Sequence, residues 1–218
     1  MNGVVNQDFC CPHCQALTPV ELETPLYLTC SHCELLMLVN HALPPNVIPQ
    51  AKRKWKPSPI ITFSSTGSID NQPFKVIGMI RRIYNNTLNI EWLLKCTNGT
   101  LKWLITSGAS YFTVDTQLLD MNYDLIRNVK VGQEFEWRNS TFQLVDIAKQ
   151  NQVYVEGQVP EDALFSKGLV KLEIVDITSY ASFTVLVNHT KEVEVYRVNK
   201  VALQDLKLSS LTAFSTWV

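Results

Sequence analysis

The chain has 218 residues, of which 46% are hydrophobic and 18% are charged, so it has enough apolar side chains for a packed core. Nineteen basic and 20 acidic residues give a net charge of −1, which excludes an overall field that would attract nucleic acid or an acidic membrane. No apolar run reaches the roughly 20 residues of a membrane-spanning helix. The first ten residues, MNGVVNQDFC, lack the basic and apolar regions of a secretory signal. We therefore expect a cytoplasmic protein whose six cysteines are thiols or metal ligands rather than disulfides.

The first 40 residues contain two similar cysteine pairs. Cys11 and Cys14 enclose Pro-His, Cys30 and Cys33 enclose Ser-His, and fifteen residues separate the pairs. Two CxxC turns at this spacing are typical of a zinc ribbon, in which each turn ends a hairpin and four thiolates meet as a tetrahedron. Iron suits the same donors and is the alternative metal. Because four cysteines leave no open position, we predict a structural zinc site.

Other roles for these cysteines fit the pattern less well. A redox CxxC needs thioredoxin-like βαβ surroundings, which the sequence lacks. His13 and His32 lie inside the turns, where they cannot join the flanking cysteines on one metal, and Cys10 lacks the two-residue gap to Cys14. A segment of this size has too little core to fold alone, so a stabilising metal is the expected role.

Residues 41–60 differ from their surroundings in composition. They hold five of the ten prolines and four basic residues without an acid, whereas residues 1–40 hold four acids and neither lysine nor arginine. Proline restricts φ and lacks an amide donor, so we predict a stiff, extended linker. Its cations are candidates for gripping a single-stranded nucleic acid, although a solvated linker, or one lying on the acidic ribbon, is the interpretation we favour. These cations are Lys52, Arg53, Lys54 and Lys56.

Residues 61–218 have the pattern of an antiparallel β domain. Short runs rich in Val, Ile, Thr and aromatic residues alternate with turn signals about every 8–12 residues, which is typical of a sandwich or barrel. Asn98-Gly99 is a hairpin signal between runs at 88–94 and 101–105. On these runs Trp92 and Trp103 are predicted to form a cross-strand pair in the core. Short helices are predicted at 118–126 and 201–208. The predicted fold class is mainly β: a zinc ribbon at 1–40, the linker at 41–60 and the β domain.

Five short motifs make about residues 60–208 resemble the bacterial DUF4178 family. They are FKVIG at 74–78, EWLL at 91–94, WL at 103–104, EGQVP at 156–160 and EIVD at 173–176. The chain departs from the family at Gln158, where an acid is usual, and at Ile105-Thr106, which replace a frequent glutamate. The resemblance implies a CxxC pair ahead of the domain, no established enzymatic activity, and an accessory role in a bacterial system.

Three carboxylates lie within these family-like motifs: Glu91, Glu156 and Asp176. If they converge, they form an acidic surface suited to a basic protein partner or a polycation. Alternatively, each caps a turn or pairs with a nearby lysine or arginine. The sequence contains no P-loop, GxSxG, HExxH or dinucleotide-binding glycine pattern. We therefore predict a non-catalytic adapter or binding module that acts through protein contacts. The alternatives are a nucleic-acid-binding zinc-ribbon protein and an enzyme with an unrecognised acidic site.

Overall fold

The structure, a computed structural model, describes residues 7–23, 25–40, 43–49, 60–63, 65–114, 119–161, 163 and 169–209. Within these ranges the chain is mainly β, as predicted, with fifteen strands, one four-residue α-helix and one 3₁₀ turn. The described strand pairings are antiparallel. No helix among these residues is both long and apolar enough to cross a membrane.

The N-terminal ribbon consists of a hairpin and a small three-stranded sheet. Strands β1 (Gln7–Cys10) and β2 (Leu17–Val20) form the hairpin, and β3 (Leu26–Thr29), β4 (Leu36–Asn40) and β5 (Leu43–Val47) form the sheet. β5 lies within the predicted linker, so the ribbon extends further than residue 40. Strand β5 contains two prolines and is the edge strand of its sheet, where a missing amide donor is tolerated.

Eight of the following strands close into an antiparallel barrel, which decides between the predicted sandwich and barrel. Their order around the barrel is β7-β8-β9-β10-β15-β14-β13-β12, and β12 pairs back with β7. β6 pairs with β7, and β11 pairs with β12. The strands are β6 (Thr66–Ile69), β7 (Gln72–Tyr84), β8 (Thr87–Cys96), β9 (Leu101–Ser107), β10 (Ser110–Val114), β11 (Glu134–Trp137), β12 (Ser140–Pro160), β13 (Val170–Asp176), β14 (Ser182–Val187) and β15 (Val193–Val201).

Strand β12 joins the barrel to the ribbon. It has 21 residues, and its first half pairs with β13 while its second half pairs with β7. Its last three residues pair with β3, with Gln158 opposite Leu28 and Pro160 opposite Leu26. The three-stranded sheet of the ribbon is therefore continuous with the barrel, whereas the β1–β2 hairpin is a separate sheet.

The main apolar clusters lie on the outer face of the barrel. Side chains alternate between the faces of a strand, so on β8 Glu91 and Leu93 point into the barrel while Trp92 and Leu94 point outwards. The outer face of β7–β10 packs against β6, residues 60–63 and the 3₁₀ turn at Leu203–Leu206. The outer face of β12–β15 packs against β11 and against residues 119–129, which include the helix α1 (Tyr123–Ile126).

The structure corrects several local predictions. The Asn98-Gly99 hairpin joins β8 and β9 as expected, but Trp92 pairs with Leu104, and Trp103 pairs with Leu93. The two tryptophans therefore lie on opposite faces and form no pair. The helix predicted at 118–126 is a single turn at Tyr123–Ile126, with residue 118 outside the described ranges. The helix predicted at 201–208 is the 3₁₀ turn.

Candidate metal centre and barrel cavity

The four predicted cysteines meet in one cluster. The Sγ atoms of Cys11, Cys14, Cys30 and Cys33 all lie within 4.8 Å of one another. The Sγ–Sγ distance is 3.7 Å between Cys11 and Cys33 and 3.6 Å between Cys14 and Cys30. Tetrahedral coordination with metal–sulfur bonds of about 2.3 Å separates neighbouring sulfurs by about 3.8 Å. The sulfur positions therefore fit a tetrahedral metal ion.

The two cysteine turns have the same backbone geometry. The amide of Cys11 donates to the carbonyl of Ala16, and the amide of Gln15 donates to the carbonyl of Cys11, both at 2.9 Å. In the second turn the amide of Cys30 donates to Leu35 at 2.9 Å, and that of Glu34 donates to Cys30 at 3.0 Å. The residue after each second cysteine has a positive φ, 61° at Gln15 and 59° at Glu34. The repeated turn presents two thiols from each hairpin to a common centre.

The thiols perturb one another's ionisation. Burial opposes the charged form of Cys30, but hydrogen bonds from the backbone amides of Cys33 and His32 outweigh it and lower the pKa of Cys30 to about 6. Burial, and hydrogen bonds with the other three thiols, raise the pKa of Cys33 to about 12. Four thiolates at these distances repel one another strongly, so all four ionise only around a cation.

The other candidate ligands lie outside the cluster. His13 and His32 are exposed in the turns, and Cys10 is exposed, with its thiol 3.6 Å from the carbonyl of Gln15. Cys96 is buried in the outer apolar cluster of β7–β10. The donor set is therefore four thiols, as the spacing predicts.

The ribbon is attached to the barrel by polar contacts around Gln158. The side-chain oxygen of Gln158 accepts hydrogen bonds from the amides of Glu21 at 2.7 Å and Leu22 at 3.2 Å, and its nitrogen donates to the carbonyl of Pro19 at 2.9 Å. The Glu21 carboxylate lies 2.7 Å from the ammonium of Lys75 and 3.6 Å from that of Lys95. The residue that departs from the family-like motif thus holds the two parts together.

Apolar contacts also connect the ribbon with the inside of the barrel. Leu36 of β4 is buried in one cluster with Ile80 and Val155 of the barrel, and Tyr27 and Trp103 pack against that cluster. Ile80 and Trp103 also line the barrel cavity. The ribbon therefore supports part of the cavity wall.

The cavity inside the barrel has a volume of about 700 Å³, within the usual size of a small-molecule site. All eight barrel strands contribute to its lining. Eight-stranded barrels are wide enough to hold one small ligand. Its apolar wall includes Leu93, Leu101, Trp103, Ile105, Phe112 and Val198, and its charged side chains are Arg82, Glu91, Lys171, Glu173 and Glu194.

Arg82 is the central charge of the cavity and is wholly buried. Its Nε donates to the carboxylate of Glu91 at 2.9 Å, and its Nη1 donates to the side-chain oxygen of Gln150 at 2.9 Å. Burial opposes the charged form, but Glu91 outweighs it and raises the pKa of Arg82. Next to Arg82, the side-chain oxygen of Asn89 is buried and has no hydrogen-bond partner among the described residues.

Two further polar pairs face the cavity. Lys171 lies 2.7 Å from the carboxylate of Glu173 and 5.1 Å from the centre of the Tyr84 ring. The hydroxyl of Tyr196 donates to Glu194 at 2.9 Å. Burial, reinforced by Glu91 for Tyr84 and by Glu194 for Tyr196, raises the pKa of both tyrosines. Both phenols therefore remain protonated and uncharged at neutral pH.

The three carboxylates predicted as an acidic surface do not come together. Glu91 faces the cavity and pairs with Arg82. Glu156 lies opposite Met79 on the outer face, 3.6 Å from Arg81. Asp176 caps a turn, where it accepts hydrogen bonds from the amides of Thr178 and Ser179, and these bonds lower its pKa. The predicted linker contacts, Lys52, Arg53, Lys54 and Lys56, lie outside the described residues.

The sequence analysis missed the cavity and its central arginine. The available signal is the Arg81-Arg82 pair inside the long apolar strand β7. Adjacent residues of a strand face opposite sides, so one of two consecutive arginines in a closed barrel has to face inwards.

Compared with family models, curated proteins and solved structures, the chain matches none of them. The resemblance to the DUF4178 family therefore stays a prediction.

Proposed function

We propose that this chain is a non-catalytic binding protein in which the barrel cavity is the binding site and the ribbon is held by a structural zinc ion. The observation that carries the proposal is the cavity of about 700 Å³, lined from all eight strands, with an apolar wall on one part and buried polar groups on another. A fold that needed its barrel interior only for stability would fill it with apolar side chains. A role as an adapter that acts through protein contacts stays a prediction.

Zinc is the metal that the ribbon suits best. Closed sites of four thiolates are typical of structural zinc, although iron suits the same tetrahedron. The Sγ–Sγ distances of 3.6 and 3.7 Å support either ion, and elemental analysis of the purified protein distinguishes them. We expect about one zinc per chain.

The binding role is tested by titrating the metal-loaded chain with N-phenyl-1-naphthylamine, an uncharged dye whose emission rises in apolar surroundings. We expect saturation at one dye per chain. Ile105→Trp adds bulk to the cavity wall and is expected to weaken binding at least tenfold, whereas Val131→Trp adds the same side chain at an exposed site and serves as the control. Absence of saturable binding, or equal binding by both variants, contradicts the proposal.

A further inference from the structure

The inner faces of four neighbouring strands carry a row of polar side chains across the barrel wall. Arg82 of β7 lies opposite Asn89 of β8. Asn89 lies opposite Ser107 of β9, which in turn lies opposite Ser110 of β10. Directly opposed residues of neighbouring strands share a face of the sheet, and all four residues line the cavity. We call these four residues the polar row.

Two members of the polar row have hydrogen-bonding atoms without a partner. Arg82 is 0% exposed, and its Nε and Nη1 donate to Glu91 and Gln150, but its Nη2 donates to no described residue. Asn89 is 4% exposed, and its side-chain oxygen accepts no hydrogen bond within the described part of the chain. A buried donor or acceptor without a partner is costly. The polar row therefore offers a ligand one donor and one acceptor on adjacent strands.

These two atoms discriminate between ligands of different charge. A carboxylate accepts from Arg82 but brings no donor to Asn89, and it would approach Glu91, which already balances the charge of Arg82. An ammonium group donates to Asn89 but is repelled by the guanidinium of Arg82. An uncharged group that carries both an acceptor and a donor satisfies both atoms without adding a charge.

The placement of the two atoms selects an amide in the cis geometry. Arg82 and Asn89 face the cavity from neighbouring positions of the same wall, so the acceptor and the donor of the ligand have to lie on one edge. An open-chain secondary amide is trans, and its carbonyl and N–H point to opposite sides. In a small lactam the ring holds the amide bond cis, so the carbonyl and the N–H lie side by side.

The wall next to the polar row suits the ring of such a molecule. Ile105 lies opposite Phe112 at the next inward-facing positions of β9 and β10, and Trp103 lies opposite Val114 at the positions after these. All four residues line the cavity. Flat rings pack well against aromatic and apolar side chains. A primary amide has the same hydrogen-bonding edge, but in a lactam this edge is part of the ring, so no torsion has to be fixed on binding.

We infer that the barrel binds an uncharged planar lactam, whose carbonyl accepts from Nη2 of Arg82 and whose N–H donates to the side-chain oxygen of Asn89. The ring of the lactam packs against Ile105, Phe112 and Trp103. This inference rests on the proposed function, since it names the chemical class of ligand for the same cavity.

Three uncharged two-ring probes of similar size test the inference. 2-Quinolinone has both the N–H and the carbonyl, coumarin has the carbonyl without the N–H, and tetrahydroquinoline has the N–H without the carbonyl. Each is titrated into the metal-loaded full chain by calorimetry. We expect 2-quinolinone to bind about tenfold or more tightly than either of the other probes, because it alone satisfies both atoms. Apolar contact alone would reverse this order, since coumarin and tetrahydroquinoline lose less hydration on leaving water.

Asn89→Leu removes the acceptor at nearly constant size, and Asn151→Leu makes the same change at an exposed site on β12. We expect Asn89→Leu to weaken 2-quinolinone binding about tenfold and to leave coumarin binding within about twofold, whereas Asn151→Leu changes neither. The comparison of the three probes uses the parent chain, so it decides the inference even if Asn89→Leu does not fold.

Two results overturn the inference but leave the cavity as a binding site. One is that coumarin or tetrahydroquinoline binds the parent chain as tightly as 2-quinolinone, which would mean that water satisfies Arg82 and Asn89. The other is that the advantage of 2-quinolinone over coumarin survives in Asn89→Leu. If neither the probes nor the naphthylamine dye binds, the proposed function fails with the inference.

Discussion

The ribbon and the barrel differ in the size of their apolar cores. Among the described residues, the ribbon's own core contains seven buried side chains, and two of them belong to cysteines of the cluster, Cys11 and Cys30. So few apolar side chains do not fold a segment of this size, so the proposed metal ion would supply the missing stability. The barrel instead has two large apolar clusters.

The barrel's clusters lie on its outside, and this placement explains its interior. Residues 60–63, β6 and the 3₁₀ turn cover one outer face, while residues 119–129 and β11 cover another. Because the outer faces carry the packing, the inner face is free to hold charged residues and a cavity. The contrast supports the proposal in both parts: the polar centre of the ribbon is suited to a stabilising metal, whereas the polar centre of the barrel lines a cavity large enough for a ligand.

The largest expected effect comes from removing one metal ligand. Cys30→Ser should abolish metal binding and unfold the ribbon, because three thiolates leave the tetrahedron incomplete. The barrel should stay folded but lose about 2–5 kcal/mol of unfolding free energy, since Leu36 no longer packs on Ile80 and Val155. Elemental analysis and hydrogen exchange of the full chain measure the two effects.

The matched control for this experiment is Cys10→Ser, which changes an exposed cysteine next to the cluster. It should keep the metal and the stability of both parts. Cooperative unfolding of the barrel together with the ribbon in Cys30→Ser would show that the two parts are one folding unit.

The next effect concerns Gly157, at the point of β12 where pairing with β7 ends and pairing with β3 of the ribbon begins. Gly157 has a φ of 78°, and a Cβ placed there would lie 2.5 Å from the carbonyl oxygen of Ile77. Gly157→Ala should therefore lower the unfolding free energy by about 3 kcal/mol or more, since alanine is strained at this φ and its Cβ would clash with the backbone of Ile77.

Gly132→Ala separates these two contributions. Gly132 has a φ of 86°, but an added Cβ would meet nothing within 4 Å. It should cost only about 1 kcal/mol, the penalty of the left-handed backbone alone. Chemical denaturation measures both variants. Equal losses of unfolding free energy in Gly157→Ala and Gly132→Ala would mean that the close approach of β7 and β12 does not add to the penalty at Gly157.

A smaller effect is expected from the polar attachment of the ribbon. Gln158→Ala removes three hydrogen bonds and leaves the amides of Glu21 and Leu22 and the carbonyl of Pro19 without their partner. We expect a loss of about 2–3 kcal/mol, mainly as faster hydrogen exchange in residues 17–22. Gln152→Ala changes an exposed glutamine of the same strand and should stay within about 0.5 kcal/mol of the parent chain. Exchange that accelerates equally throughout the barrel would contradict a local role for Gln158.

The sequence predicts the metal cluster better than the barrel because the former is a local pattern. Each CxxC turn is defined by four neighbouring residues, and two such turns suffice to place four donors. The mainly β class follows equally from local composition. The barrel depends on two long-range pairings, β10 with β15 and β7 with β12, and no short motif encodes either of them.

Side-chain direction was the other feature that the sequence left open. A one-residue change in register reverses the face of every side chain in a strand. Trp92 lies opposite Leu104, one position from Trp103, so the two tryptophans face opposite sides of the sheet. The register of β12 on β7 likewise places Glu156 on the outer face, whereas Glu91 faces inwards. The cavity combines alternate residues of eight strands, so it becomes visible only when all their registers are known.

The smallest expected effect is a pH dependence at the same attachment. Burial alone would raise the pKa of Glu21, but the ammonium groups of Lys75 and Lys95 outweigh it and lower the pKa below its ordinary value of 4.5. A carboxyl with a lowered folded-state pKa stabilises the protein above its unfolded-state pKa, and this stabilisation is lost as the pH falls through the folded-state value. The unfolding free energy of the parent chain should therefore exceed that of Glu21→Gln at pH 7. The difference should be only about 0.5–1 kcal/mol, because the ion pair is partly exposed and screened by solvent.

Chemical denaturation of the two chains between pH 7 and pH 3.5 measures this difference. The difference in unfolding free energy should shrink once the pH falls below about 4.5. Glu23→Gln changes an exposed neighbour and should have the same unfolding free energy as the parent chain at every pH. Protonation of the cysteine thiolates also releases the metal and unfolds the ribbon, which would remove the Glu21 contact in every chain, so bound metal is measured at each pH and the difference is compared only where the metal is retained. A difference that persists unchanged at pH 3.5 would show that Glu21 holds the ribbon by packing and not by its charge.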